Sequence, residues 1–205
     1  MDSADKEIKK VVFATGNADK LREIREILSD LPVEVVSMKE AGFTGDIDEN
    51  GETFADNAMI KAKTVCGALG CITLADDSGL VIDALDGRPG VHSARFMGHE
   101  TPYDKKNAAI LSMLSDVPEE KRTARYVCAI AAAFPDGRTY LAEETMEGKI
   151  GHEARGRNGF GFDPVFVAGE DGRTAAELTD EEKNRISHRG KAMRKMESLI
   201  KEALA

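Results

Sequence analysis

The chain alternates short apolar runs with amphipathic helical patterns, and its longest apolar run, Val127 to Phe134, covers about eight residues. That alternation selects an α/β fold, because strands of this length must be covered by helices to bury their side chains. Val11-Val12-Phe13 reads as a buried strand that ends at Thr15-Gly16-Asn17. Leu21, Ile24, Ile27 and Leu28 then fall on one helical face, with Asn17 as the N-cap. Val33 to Val36 reads as a second strand, and Thr53 to Gly67 as a helix with Phe54, Ala58, Ala62 and Val65 inward and Gly67 as its stop. Ile72 to Ala75 reads as a strand leading into Asp76-Asp77-Ser78-Gly79 at its end, with Leu80-Val81-Ile82 extended beyond.

Residues 86–103 are rich in Gly and Pro and read as a loop. Thr101-Pro102 then starts a helix to Leu114, with Pro at the first helical position. Tyr126 to Phe134 and Thr139 to Met146 flank Pro135-Asp136-Gly137-Arg138, a hairpin composition that makes the sheet mixed. Gly148 to Gly161 reads as irregular and Val165 to Val167 as a short strand. Thr179 to Glu182 matches a capping box, and a final helix turns Ala192, Met193, Met196, Leu199, Ile200 and Ala203 inward.

A length of 205 residues fits one domain over residues 1–205, with residues 1–9 as a loose tail. The net charge of −9 argues against a duplex nucleic-acid partner, which would require clustered Lys and Arg. No apolar run approaches the roughly 20 residues of a membrane span. The N-terminal segment MDSADKEIKK has no signal-peptide pattern, so the expected location is cytoplasmic. Cys66, Cys71 and Cys128 form no CxxC pair and read as buried free thiols. His92, His99, His152 and His188 are too scattered for a zinc motif.

Four segments carry candidate chemistry. The turn Thr15-Gly16-Asn17-Ala18-Asp19-Lys20 opens a helix with a Lys one turn in, which suits phosphate or is an ordinary capped helix. Asp76-Asp77 are adjacent carboxylates whose repulsion Mg²⁺ would relieve, with Glu49 from an acidic stretch as a further ligand; a surface turn is the bland alternative. Arg157 to Pro164 offers glycines for close approach, Phe160 for stacking and Asp163 as an acceptor, or is a loop pinned by two Phe residues. Lys183 to Arg189 is a basic run that is either a ligand contact or a solvated helix face. Together a metal-binding carboxylate set, two basic sites and a glycine-aromatic loop describe a nucleoside polyphosphate site.

The ordered strings ATGNADK, DENGETFADNAMIKAK, LADDSGLVIDALDGRPGVHSARF, GFGFDPVF and ELTDEEKNRISHRGKAM resemble the motifs of the inosine triphosphate pyrophosphatase family, the non-canonical purine nucleoside triphosphate pyrophosphatases. The resemblance runs from Val11 to about Met193 and is of the bacterial type. It implies an elongated mixed β-sheet flanked by helices, two lobes with a central nucleotide-binding cleft, and a homodimer. It implies Mg²⁺-dependent hydrolysis of ITP, dITP or XTP to the monophosphate and pyrophosphate, with Mn²⁺ as a substitute cofactor. By residue, it implies triphosphate binding at Thr15, Gly16, Asn17, Ala18, Asp19 and Lys20, and a substrate-side role for Lys61. Asp77 would be the general base, with Glu49, Asp76 and Asp77 on the metal. Ser78 would touch substrate, Phe160, Gly161, Phe162 and Asp163 would form the base loop, and Lys183, His188 and Arg189 would complete the nucleotide contacts. Lys20 and Lys183 are expected to stabilise the leaving pyrophosphate. Phe162 stands where many relatives carry Tyr, so a hydroxyl is absent there. Two other readings remain at this point: a pyrophosphatase for pyrimidine or modified nucleotides, and a noncatalytic nucleotide sensor.

Overall fold

The computed structural model describes residues 8–169 and 171–204, the side chain of Leu204 excepted. The expected loose tail lies outside the described residues over 1–7, whereas Lys9 already belongs to the first strand and pairs with Val33. Strand β1 (Lys9–Phe13) leads into α1 (Ala18–Ile27), followed by β2 (Val33–Ser37), α2 (Phe54–Leu69) and β3 (Thr73–Ile82). Helix α3 (Tyr103–Met113) precedes the hairpin of β4 (Thr123–Ala133) and β5 (Thr139–Ile150), and β6 (Phe166–Val167), α4 (Asp180–Ile186) and α5 (His188–Leu204) close the chain.

The six strands lie in the order β2-β1-β3-β4-β5-β6. β1 runs parallel to β2 and β3, and β5 antiparallel to β6, so the sheet is mixed as expected. The connection β1-α1-β2 steps one way from β1, and β2-α2-β3 steps back across it. Two right-handed crossovers in opposite directions put α1 and α2 on opposite faces of the sheet. Asn17 caps α1 by accepting from the amides of Asp19 and Lys20. Thr53 and Asp56 form a reciprocal capping box on α2.

Four boundaries differ from expectation. Helix α2 runs through Gly67 and stops at Gly70, which adopts the left-handed conformation at φ 61° that ends helices. The acidic pair lies inside a continuous ten-residue strand, not at its end. Pro102 occupies the cap position before α3 instead of its first turn. Strand β5 continues through Gly148, where a Cβ would overlap the Val167 carbonyl oxygen of β6, so glycine there permits pairing where composition suggested a loop.

The chain divides into two compact units. The first holds the chain up to Asp77, 129–143 and the chain from Ala192; the second holds 78–128 and 144–191. Val11, Val12, Phe13, Ile24, Leu28, Ala58, Val65 and Leu74 are buried in the first. Leu80, Ile82, Ile110, Leu114, Tyr126, Ile150, Phe162 and Phe166 form one core cluster in the second. Beside it Arg122 is 1% exposed, and its guanidinium donates to the carbonyls of Ile150, Leu114, Val117 and Gly151. Of the cysteines, Cys66 and Cys128 are buried thiols as expected, whereas Cys71 is half-buried.

Candidate active site

In the first unit the period-two alternation of β3 sends Asp76 and Asp77 to opposite faces of the strand, and each finds a lysine from the helix on its side. Asp76 Oδ2 lies 2.9 Å from Lys20 Nζ of α1. Asp77 Oδ1 lies 3.4 Å from Lys61 Nζ of α2, which is also 2.8 Å from Glu49 Oε2. Asn57, one turn before Lys61 on the same face of α2, donates to Asp77 Oδ2 at 3.2 Å and accepts from the Gly51 amide at 2.8 Å. It thereby fastens the acidic loop to the strand. Gly51 itself is required by this approach, since a Cβ would sit 2.6 Å from Cβ of Asp56 and 2.8 Å from the Asn57 oxygen.

Burial raises the Asp77 pKa above its ordinary value, and outweighs the pull of Lys61, Lys20 and the Asn57 hydrogen bond. For Lys61 burial acts downward, but Asp77, Asp76 and Glu49 overcome it and hold its pKa above normal. Both pKa values are raised, which favours the charged form of the lysine and disfavours that of the carboxylate in one ion pair. The lysine gains from three carboxylates, whereas the carboxylate loses more hydration than its partners return. Asp77 thus retains a proton affinity suited to accepting a proton.

Glu49, Asp76 and Asp77 offer only carboxylate oxygens, the hard donors Mg²⁺ takes, and the ammoniums already on them show that the cluster draws cations. Among the described residues no three His, Cys, Asp or Glu side chains stand in ready-made metal geometry. In donor chemistry these oxygens are of the kind that ion takes, and Lys20 and Lys61 stand against them. The preceding turn leaves room for a ligand at Gly16, where a Cβ would meet nothing within 4 Å, while Thr15 Oγ1 accepts from the Asn17 amide. Ala18 is exposed and Asp19 half-buried beside it.

The second unit brings together the remaining candidates. Asp163 is 3% exposed, and both its oxygens are engaged: Oδ2 accepts from the Phe160 amide and Lys183 Nζ, each at 2.8 Å, and Oδ1 from the Tyr126 hydroxyl at 3.3 Å. It organises the loop more than it offers a free acceptor. Gly159, at φ 69°, leaves no space for a Cβ against that carboxylate. Lys183 Nζ lies 4.6 Å and the Arg189 guanidinium 5.6 Å from the centroid of the Phe160 ring. Arg189 Nη2 also donates to Ser78 Oγ at 3.1 Å. Gly161 offers its carbonyl to Asn107 of α3, and Phe162 is buried edge-on against Tyr103 with ring centroids 5.3 Å apart.

Lys183, His188 and Arg189 are buried at 4%, 5% and 3% exposure, so of the basic run only Arg185 faces solvent. Lys183 keeps company with the aromatic loop through Asp163 and the Phe160 ring. Sequence reasoning missed Asn57, Asn107 and Tyr126. The spacing of Asn57 four residues before Lys61 was a usable signal; Tyr126 sits in an apolar strand and gave none.

The Ham1 family model matches residues 11–199. The chain belongs to the Ham1 family. It is 46% identical to a dITP/XTP pyrophosphatase of Exiguobacterium sibiricum over 93% of this chain and 96% of that protein. It is 44% identical to a dITP/XTP pyrophosphatase of Bacillus subtilis over 94% and 98%. A solved HAM1 protein from Coxiella burnetii superposes with a TM-score of 0.86 at 38% identity, covering 95% of this chain and all of the other (100%). The family membership accounts for all five sequence strings at once, and Glu49, Asp76, Asp77 and both lysines lie within the matched span.

Proposed function

We propose that this protein hydrolyses non-canonical purine nucleoside triphosphates, dITP, XTP and ITP, to the nucleoside monophosphate and pyrophosphate, and so cleanses the nucleotide pool. The dITP/XTP pyrophosphatases among its relatives support the substrate class. The observation that carries the chemistry is Asp77, a desolvated carboxylate of raised pKa held by Asn57 and Lys61 beside a second carboxylate–lysine pair.

In this reading the triphosphate is handled by Thr15, Gly16, Asn17, Ala18, Asp19, Lys20 and Lys61. The base is handled by Phe160, Gly161, Phe162, Asp163, Lys183, His188 and Arg189, with Ser78 directly after Asp77 in β3. Water attacks the α-phosphorus, its proton passes to Asp77, and the bond to the bridging oxygen breaks to release pyrophosphate. Lys20 and Lys61 follow the developing negative charge. Glu49, Asp76 and Asp77 would hold Mg²⁺, with Mn²⁺ as substitute, and the ion would supply positive charge that neutralises the phosphates. Arg189 is a donor suited to the O6 acceptor of a 6-oxopurine; adenine presents an amino donor there and leaves it unpaired.

The remaining parts of the reading are a homodimer and a cytoplasmic setting. Met97, Tyr103 and Met113 are exposed apolar side chains in the second unit that a second copy would cover, and three cysteines outside any disulfide support a reducing compartment. No helix among the described residues is long and apolar enough to cross a membrane.

The test is pyrophosphate release with Mg²⁺ across purified dITP, XTP, ITP, dATP, GTP, dTTP and UTP. Preference for dITP and XTP is the expected result. Preference for dTTP or UTP would favour a pyrimidine enzyme, and binding without release would make the protein a nucleotide sensor.

A further inference from the structure

We propose that Tyr126 is a positioning residue for recognition of the purine base. This rests on the reading that the aromatic loop and His188-Arg189 meet the base. Tyr126 stands on β4, a strand of the core, and is 8% exposed. Its hydroxyl donates to Asp163 Oδ1 at 3.3 Å. Its ring stacks on His188 with centroids 4.8 Å apart and planes 9° from parallel, while Phe166 packs on it at 4.6 Å.

One side chain therefore sets two candidate base contacts that come from different segments. The hydroxyl fixes the rotation of the Asp163 carboxylate, so that Oδ2 stays on the Phe160 amide and on Lys183 Nζ. The ring fixes the plane of His188, whose neighbour Arg189 lies over Phe160. Strand residues hold geometry more tightly than loops, and a buried carboxylate oxygen that loses its donor seeks another by rotating. Loss of the hydroxyl should therefore disorder base recognition and leave the phosphate end untouched.

The experiment measures dIMP, dAMP and inorganic pyrophosphate binding by calorimetry for wild type, Tyr126→Phe and Tyr126→Leu, with thermal melting and dITP kinetics on the same preparations. Tyr126→Phe keeps the ring and removes the hydroxyl. It should weaken dIMP binding roughly 5–30-fold and lower the dIMP-over-dAMP preference. KM for dITP should rise while kcat and pyrophosphate affinity stay within about twofold of wild type. Tyr126→Leu removes the stack as well and should lose more; should it fail to fold, the Phe variant decides alone. Unchanged dIMP affinity and preference in a folded Tyr126→Phe overturns the proposal. A parallel loss of pyrophosphate binding also overturns it, because that would be general loosening. Wild type that prefers dIMP but releases no pyrophosphate from dITP would sink the hydrolase reading alone, and the binding series would still judge Tyr126. Wild type without a dIMP preference overturns the proposal itself.

Discussion

Lys61 Nζ lies 2.8 Å from Glu49 Oε2, so an ammonium occupies a carboxylate oxygen that a divalent cation would use. The same ammonium reaches Asp77, and Lys20 does likewise for Asp76. On the proposed reading, a free metal ion would have to displace these lysines, whereas a polyphosphate would offer them new partners. Lys61→Met should bind Mn²⁺ at least about tenfold more tightly than wild type without nucleotide, as one competing charge contributes about 1.4 kcal/mol or more. Titration of Mn²⁺ by electron paramagnetic resonance measures this; equal affinities would show that Lys61 does not compete with the metal.

Asp77→Asn keeps the side chain's size and removes its proton-accepting oxygen. Pyrophosphate release should fall at least ~10²-fold, the lower range for a lost general base. The variant should still fold, which melting in metal-free buffer checks. Near-normal turnover would move the base role to Asp76 or Glu49.

The raised pKa of Asp77 also sets a pH dependence. The base works deprotonated, so kcat/KM should fall as pH drops through a value above the ordinary carboxylate range. A divalent cation beside the carboxylate favours its charged form, so higher Mg²⁺ should move that acid limb to lower pH. A profile of kcat/KM against pH at two Mg²⁺ concentrations tests both statements, and an upward shift with Mg²⁺ would contradict the second.

Phe160 carries the ring that Lys183 and Arg189 approach. Phe160→Ala should weaken dITP binding by roughly 1–3 kcal/mol if the base stacks on it, with KM rising more than kcat falls. An unchanged KM would make Phe160 a packing residue. Arg189→Ala should narrow the dITP-over-dATP preference, and steady-state kinetics on the two substrates decides that.

Arg122 holds four carbonyls together without solvent. Arg122→Ala would strand buried acceptors and should cost at least about 3 kcal/mol. For a chain of this size that is a Tm lower by roughly 6–12 °C. Arg122→Lys should recover only part, because an ammonium lacks the planar fork. Calorimetric melting of the three proteins checks the order.

The sequence by itself determined the α/β class, the N-cap at Asn17 and the hairpin around Gly137. Caps, turns and periodicity act over three or four residues, so neighbouring letters carry them. Tertiary structure decided the rest. Asp76 and Asp77 part to different lysines because a strand alternates its faces and two crossovers put α1 and α2 on opposite sides. Lys183 joins Asp163 across 20 residues of sequence, and Tyr126 reaches Asp163 and His188 from a strand that reads as plain core. Such contacts depend on which buried polar groups must satisfy one another once water is excluded, a condition that exists only after the chain has folded.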